Sequence, residues 1–342
     1  MKAIIMAGGE GTRLRCITGE HPKPLVPLLG RPVLEHILLL LRREGFTELC
    51  LSLRYRAQEI MDRFGDGSEL GLSLRYHVEA TPLGTAGGVA ACRDFCAGED
   101  VLILSGDAVC DFPLARLMER HRQRDACVTL ALCRSDSPLQ YGLALPDESG
   151  RIRAFVEKPD WSRVVTDLVN TGIYVLSPRA LEQIPTGRPY DFAKDLFPLL
   201  LGRGELLLGL PVEGYWRDIG SPESYYRCCL DALEGRVRLS PGPGFAAPAP
   251  SEAAETGQAE GLLFPCRSRA ALMGRLSSLL LELEPDYSDG IRLRGSNYRM
   301  RIFPLSDREA LCIRAQSRDA EFAGRLEARM RDVVAALEPP SP

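Results

Sequence analysis

The sequence predicts an α/β protein: a doubly wound N-terminal half, a β-rich stretch after it, and a small C-terminal α+β domain. Three observations carry this. Strand-like apolar runs alternate with helical patterns up to Gly106-Asp107, strand-like runs dominate from Cys127 to Val212, and a Pro/Ala/Gly/Glu-rich segment then precedes a block of mixed elements. With 342 residues, 45% of them hydrophobic, the chain exceeds one average domain and can bury a sizeable core.

Residues 2–7 read as an apolar strand. Residues 32–44 read as a helix, with Pro32 in its first turn and Gly45 past its end. Strand 49–53, helix 57–64, strand 72–77, helix 85–95 opened by a glycine turn, and buried strand 101–104 follow. This order places ligands beyond the carboxyl ends of the strands. From Cys127 the expected strands are 128–133, 143–146, 152–156, 169–176 and 206–212, interrupted by helices 178–183 and 192–201 and closed by helix 222–234. A β-rich lobe over a nucleotide-type half would form a cleft. Residues 240–261 (SPGPGFAAPAPSEAAETGQAEG) have little to offer a core and read as linker. The expected boundaries are 1–235, a linker 236–261, and 262–338, the last with helix 269–281, strands 290–293, 298–303 and 311–315, and helix 320–337.

A net charge of −4 offers no basic face for nucleic acid or anionic membrane. No apolar run approaches the roughly 18 residues of a membrane span, and the first residues form a core strand, so a cytoplasmic protein is expected. The 11 cysteines, mostly within apolar segments, read as buried free thiols. Cys-x-x-Cys is absent and the four histidines do not cluster with cysteines, so zinc is not expected. Residues 37–41 form an apolar run that reads as core or as the interface of a homo-oligomer. Only Lys2, Lys23, Lys158 and Lys194 are lysine among 42 basic residues; a lysine kept in an arginine-using chain suggests a need for a compact ammonium.

The N-terminal strand runs into Gly8-Gly9-Glu10-Gly11-Thr12-Arg13, where glycines let backbone N–H groups approach an anion and Arg13 and Lys23 add positive charge. Walker A would need Gly-Lys-Ser/Thr after four spacers, and a dinucleotide fingerprint would need glycine where Leu14 stands. Further strand ends offer Glu79 with Leu83-Gly84-Thr85-Ala86-Gly87, Asp107, Tyr141-Gly142, Glu157-Lys158-Pro159, Asn170-Thr171-Gly172 and Trp216-Arg217-Asp218-Ile219-Gly220. Asp107 and Asp218 are hard oxygen donors of the kind Mg²⁺ takes together with substrate phosphates, although either could be a cap or turn residue. Glu157-Lys158 could equally be a solvated ion pair.

Taken together and in order, these motifs resemble the sugar-1-phosphate nucleotidyltransferase family over roughly residues 1–235. The resemblance implies a Rossmann-like fold with a mixed sheet and a β-rich sugar-binding lobe. It also implies a transferase that joins a nucleoside triphosphate to a sugar 1-phosphate with Mg²⁺ as cofactor. Gly8, Gly9, Gly11, Thr12 and Arg13 would hold the triphosphate, with Glu79, Gly84 and Thr85 bordering base and ribose. Gly142, Glu157, Lys158 and Asn170 would bind the sugar phosphate, Asp107 and Asp218 the metal. Arg13, Lys23 and Asp107 would carry the catalysis, by positioning and charge neutralisation and without a general base.

The chain departs from the family pattern at Cys16, where proline is usual, so that loop is less rigid. The tail from about Leu262 resembles the C-terminal domain of phosphomannomutases and phosphoglucomutases. Where that family grips phosphate with Arg-Pro-Ser-Gly-Thr-Glu-Pro, this chain has Phe303-Pro304-Leu305-Ser306-Asp307-Arg308-Glu309. The lost arginine and glycine imply a remnant without mutase activity. The tail tilts the substrate pair toward GTP and mannose 1-phosphate. The alternatives are glucose 1-phosphate with UTP or dTTP, and a non-catalytic regulatory homologue that binds nucleotide sugar.

Overall fold

The structure, a computed structural model, describes residues 1–135, 138–156, 166–243 and 245, strands 262–265, 291–294, 298–304 and 310–317, and the helical positions 273, 276, 325, 327, 328, 330, 331 and 334. The chain divides into two units: Met1–Leu132, Pro146–Arg153 and Thr171–Ala249 form the first, and Cys133–Leu145, Ala154–Asn170 and Pro250–Pro342 the second.

In the first unit, β1 (Lys2–Met6), β2 (Glu48–Leu53), β3 (Ser73–Val78) and β4 (Val101–Ser105) run parallel in the order β3-β2-β1-β4. Helices α1 (Val33–Arg43), α2 (Ala57–Phe64) and α3 (Gly84–Ala91) connect them. Ala3, Ile4 and Ile5 of the central strand are wholly buried, as an unbroken apolar run requires when both faces of a sheet are covered. In α1, Ile37, Leu38, Leu40 and Leu41 are buried, so the 37–41 run serves the core of this unit.

The chain continues through β5 (Ala108–Cys110), α4 (Leu114–Gln123), β6 (Val128–Arg134), β7 (Leu143–Pro146), β8 (Ile152–Val156), β9 (Leu168–Leu176), α5 (Pro178–Glu182), α6 (Phe197–Gly202), β10 (Leu207–Pro211), β11 (Trp216–Asp218) and α7 (Pro222–Leu233). β9 lies antiparallel to β4, with Tyr174 opposite Ile103; β6 pairs with β9, and β10 runs parallel to β6 with Leu207 opposite Val128. The sheet is therefore mixed, as expected, and β6 and β10 extend it: Val128, Leu130, Ala131, Leu207 and Leu208 are all fully buried and need cover on both faces.

Two expected helices are interrupted. The 85–95 helix breaks at Cys92, whose φ of −95° and ψ of 11° end α3 before a short turn Arg93–Cys96. The 192–201 helix opens as a π turn, Phe192–Leu196, in which Leu196 N donates to Asp191 O five residues back; α6 follows with Pro198, which lacks an N–H, in its first turn. Residues 237–243 and 245 pack within the first unit: Gly242 N donates to Leu29 O (2.8 Å), Arg31 Nε donates to Pro241 O (3.1 Å), and Val237 is buried. Residues 246–261 lie outside the described residues.

In the second unit, β7 has β8 on one side and the start of β9 on the other, with Val169 opposite Leu143. A separate four-stranded antiparallel sheet follows, β12 (Leu262–Pro265), β13 (Ile291–Arg294), β14 (Tyr298–Pro304) and β15 (Ala310–Ser317), in the order β12-β15-β14-β13. Ile291 and Leu293 of β13 and Met300 and Ile302 of β14 are buried in alternation, Leu311, Cys312 and Ile313 of β15 are buried in a run, and helical Met273, Leu276 and Val334 are buried too. Residues 305–309 lie outside the described residues.

Nine described cysteines are free, seven of them buried, and burial pushes the Cys96 thiol up to about 11. Among the described residues, no helix is long and apolar enough to cross a membrane.

Candidate active site

The glycine loop leaves the carboxyl end of β1 at the middle of the sheet. Ala7 N donates to Ser52 O of β2 (2.9 Å), which holds the first residue of the loop to the strand end. Gly11 has a left-handed φ of 61°, and a Cβ there would lie 2.7 Å from Lys23 Cβ, so the position requires glycine. A Cβ at Gly9 would meet nothing within 4 Å; its backbone faces open space. Next comes a 3₁₀ turn, Thr12–Leu14, in which buried Leu14 anchors the chain while Thr12 and Arg13 stay exposed.

Lys23 arrives on a second 3₁₀ turn, Lys23–Leu25, after extended Pro22. Its side chain is only 8% exposed, and Nζ lies 2.7 Å from Asp107 Oδ2 and 3.4 Å from Asp218 Oδ1. The carboxylates are brought together by a ribbon the sequence did not reveal. β5 pairs antiparallel with β11, Cys110 opposite Trp216 and Ala108 opposite Asp218, so Asp218 lands beside Asp107 across 111 positions of chain. Gly106 permits the close pass of β4 over the β1 loop, since a Cβ there would lie 2.8 Å from Ala7 Cβ. A Cβ at Gly220 would lie 2.9 Å from Asp218 Oδ2 and 3.0 Å from Arg13 Nη2, which puts the Arg13 guanidinium next to Asp218.

Lys23, Asp107 and Asp218 form a charge triad, and the neighbouring Arg13 guanidinium offsets its second carboxylate. For Asp107, burial is the largest single influence and raises its pKa, but the Lys23 charge and hydrogen bonds from Lys23 and Ser105 Oγ outweigh it and hold the carboxyl below its usual range. Asp218 goes the other way: burial first and the Asp107 charge second push it up, and Lys23 and Arg13 offset this only in part. The carboxylate side chains remain 36% and 32% exposed, so both keep an open side. That donor set, two hard carboxylates with open faces, fits a divalent cation that completes its shell with substrate phosphates. Among the described residues, no three His, Cys, Asp or Glu side chains converge as a self-sufficient metal cage.

Glu79 follows β3 and has both carboxylate oxygens engaged: Oε1 accepts from Ser52 Oγ (2.7 Å) and Oε2 from Leu83 N (3.1 Å). It thus shapes the turn into α3. Gly84 has a φ of 72°, and a Cβ there would lie 2.6 Å from Tyr190 O, which accepts from Ala86 N and Gly87 N (3.0 Å each). Thr85 Oγ1 donates to Asp191 Oδ2 (2.9 Å) and accepts from Phe192 N (3.0 Å). The 83–87 turn therefore grips the 190–192 segment.

In the second unit, Gly142 and Asn170 meet through a backbone hydrogen bond, Asn170 N to Gly142 O, at 2.8 Å. Glu157 and Lys158 lie outside the described residues. The sequence reasoning missed Ser105, Tyr190 and Asp191. Asp191 alone carried a signal, as an N-cap ahead of Phe192: its Oδ1 accepts from Ala193 N and Lys194 N. Tyr190 acts through its backbone carbonyl, which no residue type announces.

Known proteins share this architecture. Over 242 residues the chain is 36% identical to mannose-1-phosphate guanylyltransferase of Mycobacterium tuberculosis, covering 70% of this chain and 66% of that one. Over 257 residues it is 34% identical to UTP–glucose-1-phosphate uridylyltransferase of Synechocystis, covering 71% and 66%. The chain thus spans just under two thirds of the length of these relatives. Among solved structures, HddC from Yersinia pseudotuberculosis complexed with GMP-PN matches with a TM-score of 0.59 at 28% identity, over 68% of this chain and 99% of that one. A putative glucose-1-phosphate thymidylyltransferase from Bacillus anthracis matches with a TM-score of 0.62 at 25% identity, over 70% and 97%. The family model for nucleotidyl transferases matches residues 2–235, which hold the glycine loop, Lys23 and both aspartates, and the chain belongs to that family.

Proposed function

We propose that this chain joins GTP to mannose 1-phosphate, giving GDP-mannose and pyrophosphate. The observation that carries the proposal is the placement of Lys23 Nζ between Asp107 and Asp218, beside a glycine loop with an open backbone at Gly9 and with Arg13 next to Asp218. Support for guanine comes from the mycobacterial relative and from HddC solved with GMP-PN. The Synechocystis relative favours a second reading, UTP with glucose 1-phosphate.

In this reading Gly8, Gly9, Gly11 and Thr12 present backbone N–H groups to the triphosphate, and Arg13 neutralises the departing pyrophosphate. An oxygen of the sugar phosphate, already ionised, attacks the α-phosphorus in line; the bond from that phosphorus to the bridging oxygen breaks, and pyrophosphate leaves with the electron pair. Lys23, fixed by two carboxylates, acts as a point charge near the α-phosphate. Glu79, Gly84 and Thr85 shape the border for base and ribose, Glu79 through the turn it caps. Gly142, Glu157, Lys158 and Asn170 receive the sugar phosphate. Asp107 and Asp218 would hold Mg²⁺, which when bound supplies charge neutralisation at the phosphoryl oxygens. We assign catalysis to residues 1–235, a linker to the part of 236–261 beyond the described residues that pack on the first unit, and a domain without mutase activity to 262–338. Free thiols throughout the described core fit a reducing cytoplasm.

The test is pyrophosphate release by the purified protein across a matrix of nucleoside triphosphates and sugar 1-phosphates with Mg²⁺. The expected result is highest kcat/KM for GTP with mannose 1-phosphate. Highest kcat/KM for UTP with glucose 1-phosphate would favour the second reading, and no release from any pair would overturn both.

A further inference from the structure

The ribbon that unites the two aspartates is very short, three residues in each strand, and its register decides what stands beside Asp107. A slip of one residue would turn the Asp218 side chain to the opposite face. Such a ribbon gains little from its own ladder, so something else must fix it.

The next rung would pair Asp111 with Tyr215. Asp111 N donates to Tyr215 O (3.1 Å), but Tyr215 N donates to the Asp111 side chain, at 2.7 Å from Oδ1. The other carboxylate oxygen, Oδ2, accepts from Arg238 N (3.2 Å). Asp111 thus ends the ribbon with its side chain and ties it to the segment after α7. The turn before Tyr215 is built around this carboxylate: Gly214 has a φ of 132°, and a Cβ there would lie 2.8 Å from Asp111 Oδ1. The Tyr215 hydroxyl is held at its far end, donating to buried Asp231 Oδ2 at 2.8 Å.

We propose that Asp111 is a positioning residue for the cation site: it locks the register that presents Asp218 beside Asp107, and so sets the affinity of the pair for a divalent cation. The inference rests on the proposed role of those two aspartates as metal ligands. Asp111 itself touches neither of them in the hydrogen bonds described.

The test is Mn²⁺ binding to the full chain in the presence of GTP, followed by electron paramagnetic resonance, with thermal unfolding to establish that each variant is folded. Asp111→Ala is expected to weaken Mn²⁺ binding about tenfold, the scale on which residues behind a metal's ligands act, and Asp111→Asn, which keeps an acceptor for Tyr215 N, by less. Gly214→Ala, which crowds the same carboxylate, is expected to weaken it too and serves if Asp111→Ala does not fold. In the Mg²⁺ dependence of pyrophosphate release, Asp111→Ala should raise the half-saturating Mg²⁺ concentration and leave kcat at saturation close to wild type. Wild-type binding matched by folded Asp111→Ala or Gly214→Ala overturns the inference alone. Failure of the wild type to bind Mn²⁺ overturns the metal reading and the inference with it.

Discussion

Lys23→Met removes the ammonium and keeps most of the apolar stem. In the structure it leaves Asp107 and Asp218 facing each other with no cation at the 2.7 and 3.4 Å positions. Removing one partner of a buried ion pair costs about 3–5 kcal/mol. Because the two carboxylates stay 36% and 32% exposed, water recovers part of that, and a loss of about 2 kcal/mol is the better expectation. For a chain of this size that lowers Tm by about 3 °C near pH 7.5.

The sign of the pH dependence follows from Asp107, whose carboxyl lies below its usual range in spite of burial because Lys23 is present. The stability this contributes is present above the ordinary carboxylate pKa and is lost as pH falls through the lowered value. Without Lys23, burial and mutual repulsion push both carboxyls up, and on acidification they take protons that relieve the repulsion. The Tm gap between wild type and Lys23→Met should therefore narrow at about pH 5. Lys23→Arg should not restore activity, since the side chain is 8% exposed and its Cβ lies close against Gly11. A gap of equal size at both pH values, or a variant as stable as wild type at pH 7.5, would refute the charge argument.

The remaining predictions concern the loop and the buried histidines. Gly11→Ala combines a left-handed φ with a 2.7 Å clash and should cost about 2 kcal/mol of stability or more. Gly9→Ala meets nothing within 4 Å and should leave Tm within a degree or so while raising KM for GTP about fivefold or more; unchanged KM would remove Gly9 from the triphosphate site. His36 Nε2 donates to Leu28 O and His121 Nδ1 pairs with Thr129 Oγ1, both at 2.8 Å, and burial lowers the pKa of both rings. The unfolded chain then binds more protons, so stability falls as pH drops below about 6.5; His121→Asn should flatten that slope in urea unfolding at about pH 5 to 7.

The sequence made legible what depends on local pattern. The parallel strands of the first half and the glycine loop were readable because apolar runs, prolines and glycines mark them within a few residues. The β5/β11 ribbon was not: three-residue strands show no period, and their pairing spans more than 100 residues, so the meeting of Asp107 with Asp218 could only be suspected from their motifs. Glu79 was read as bordering the nucleotide, and its structural work, capping a turn through Ser52 and Leu83 N, depends on a neighbouring strand. The break at Cys92 and the π turn before Pro198 were hidden because cysteine is no helix breaker by type and a hydrogen bond to the fifth residue back leaves no mark in the sequence. The strands after Cys127 were placed well in sequence, but their pairing order was not legible, because alternation says nothing about which neighbour a strand joins.

The central claim is that Lys23, Asp107 and Asp218 form the reaction centre of a nucleotidyl transfer. Its most direct measurement is GDP-mannose formation from GTP and mannose 1-phosphate with Mg²⁺, comparing wild type with the folded Asp107→Asn/Asp218→Asn double variant. The account predicts a fall in kcat of about a thousandfold or more, and a double variant that retains close to wild-type kcat would contradict it.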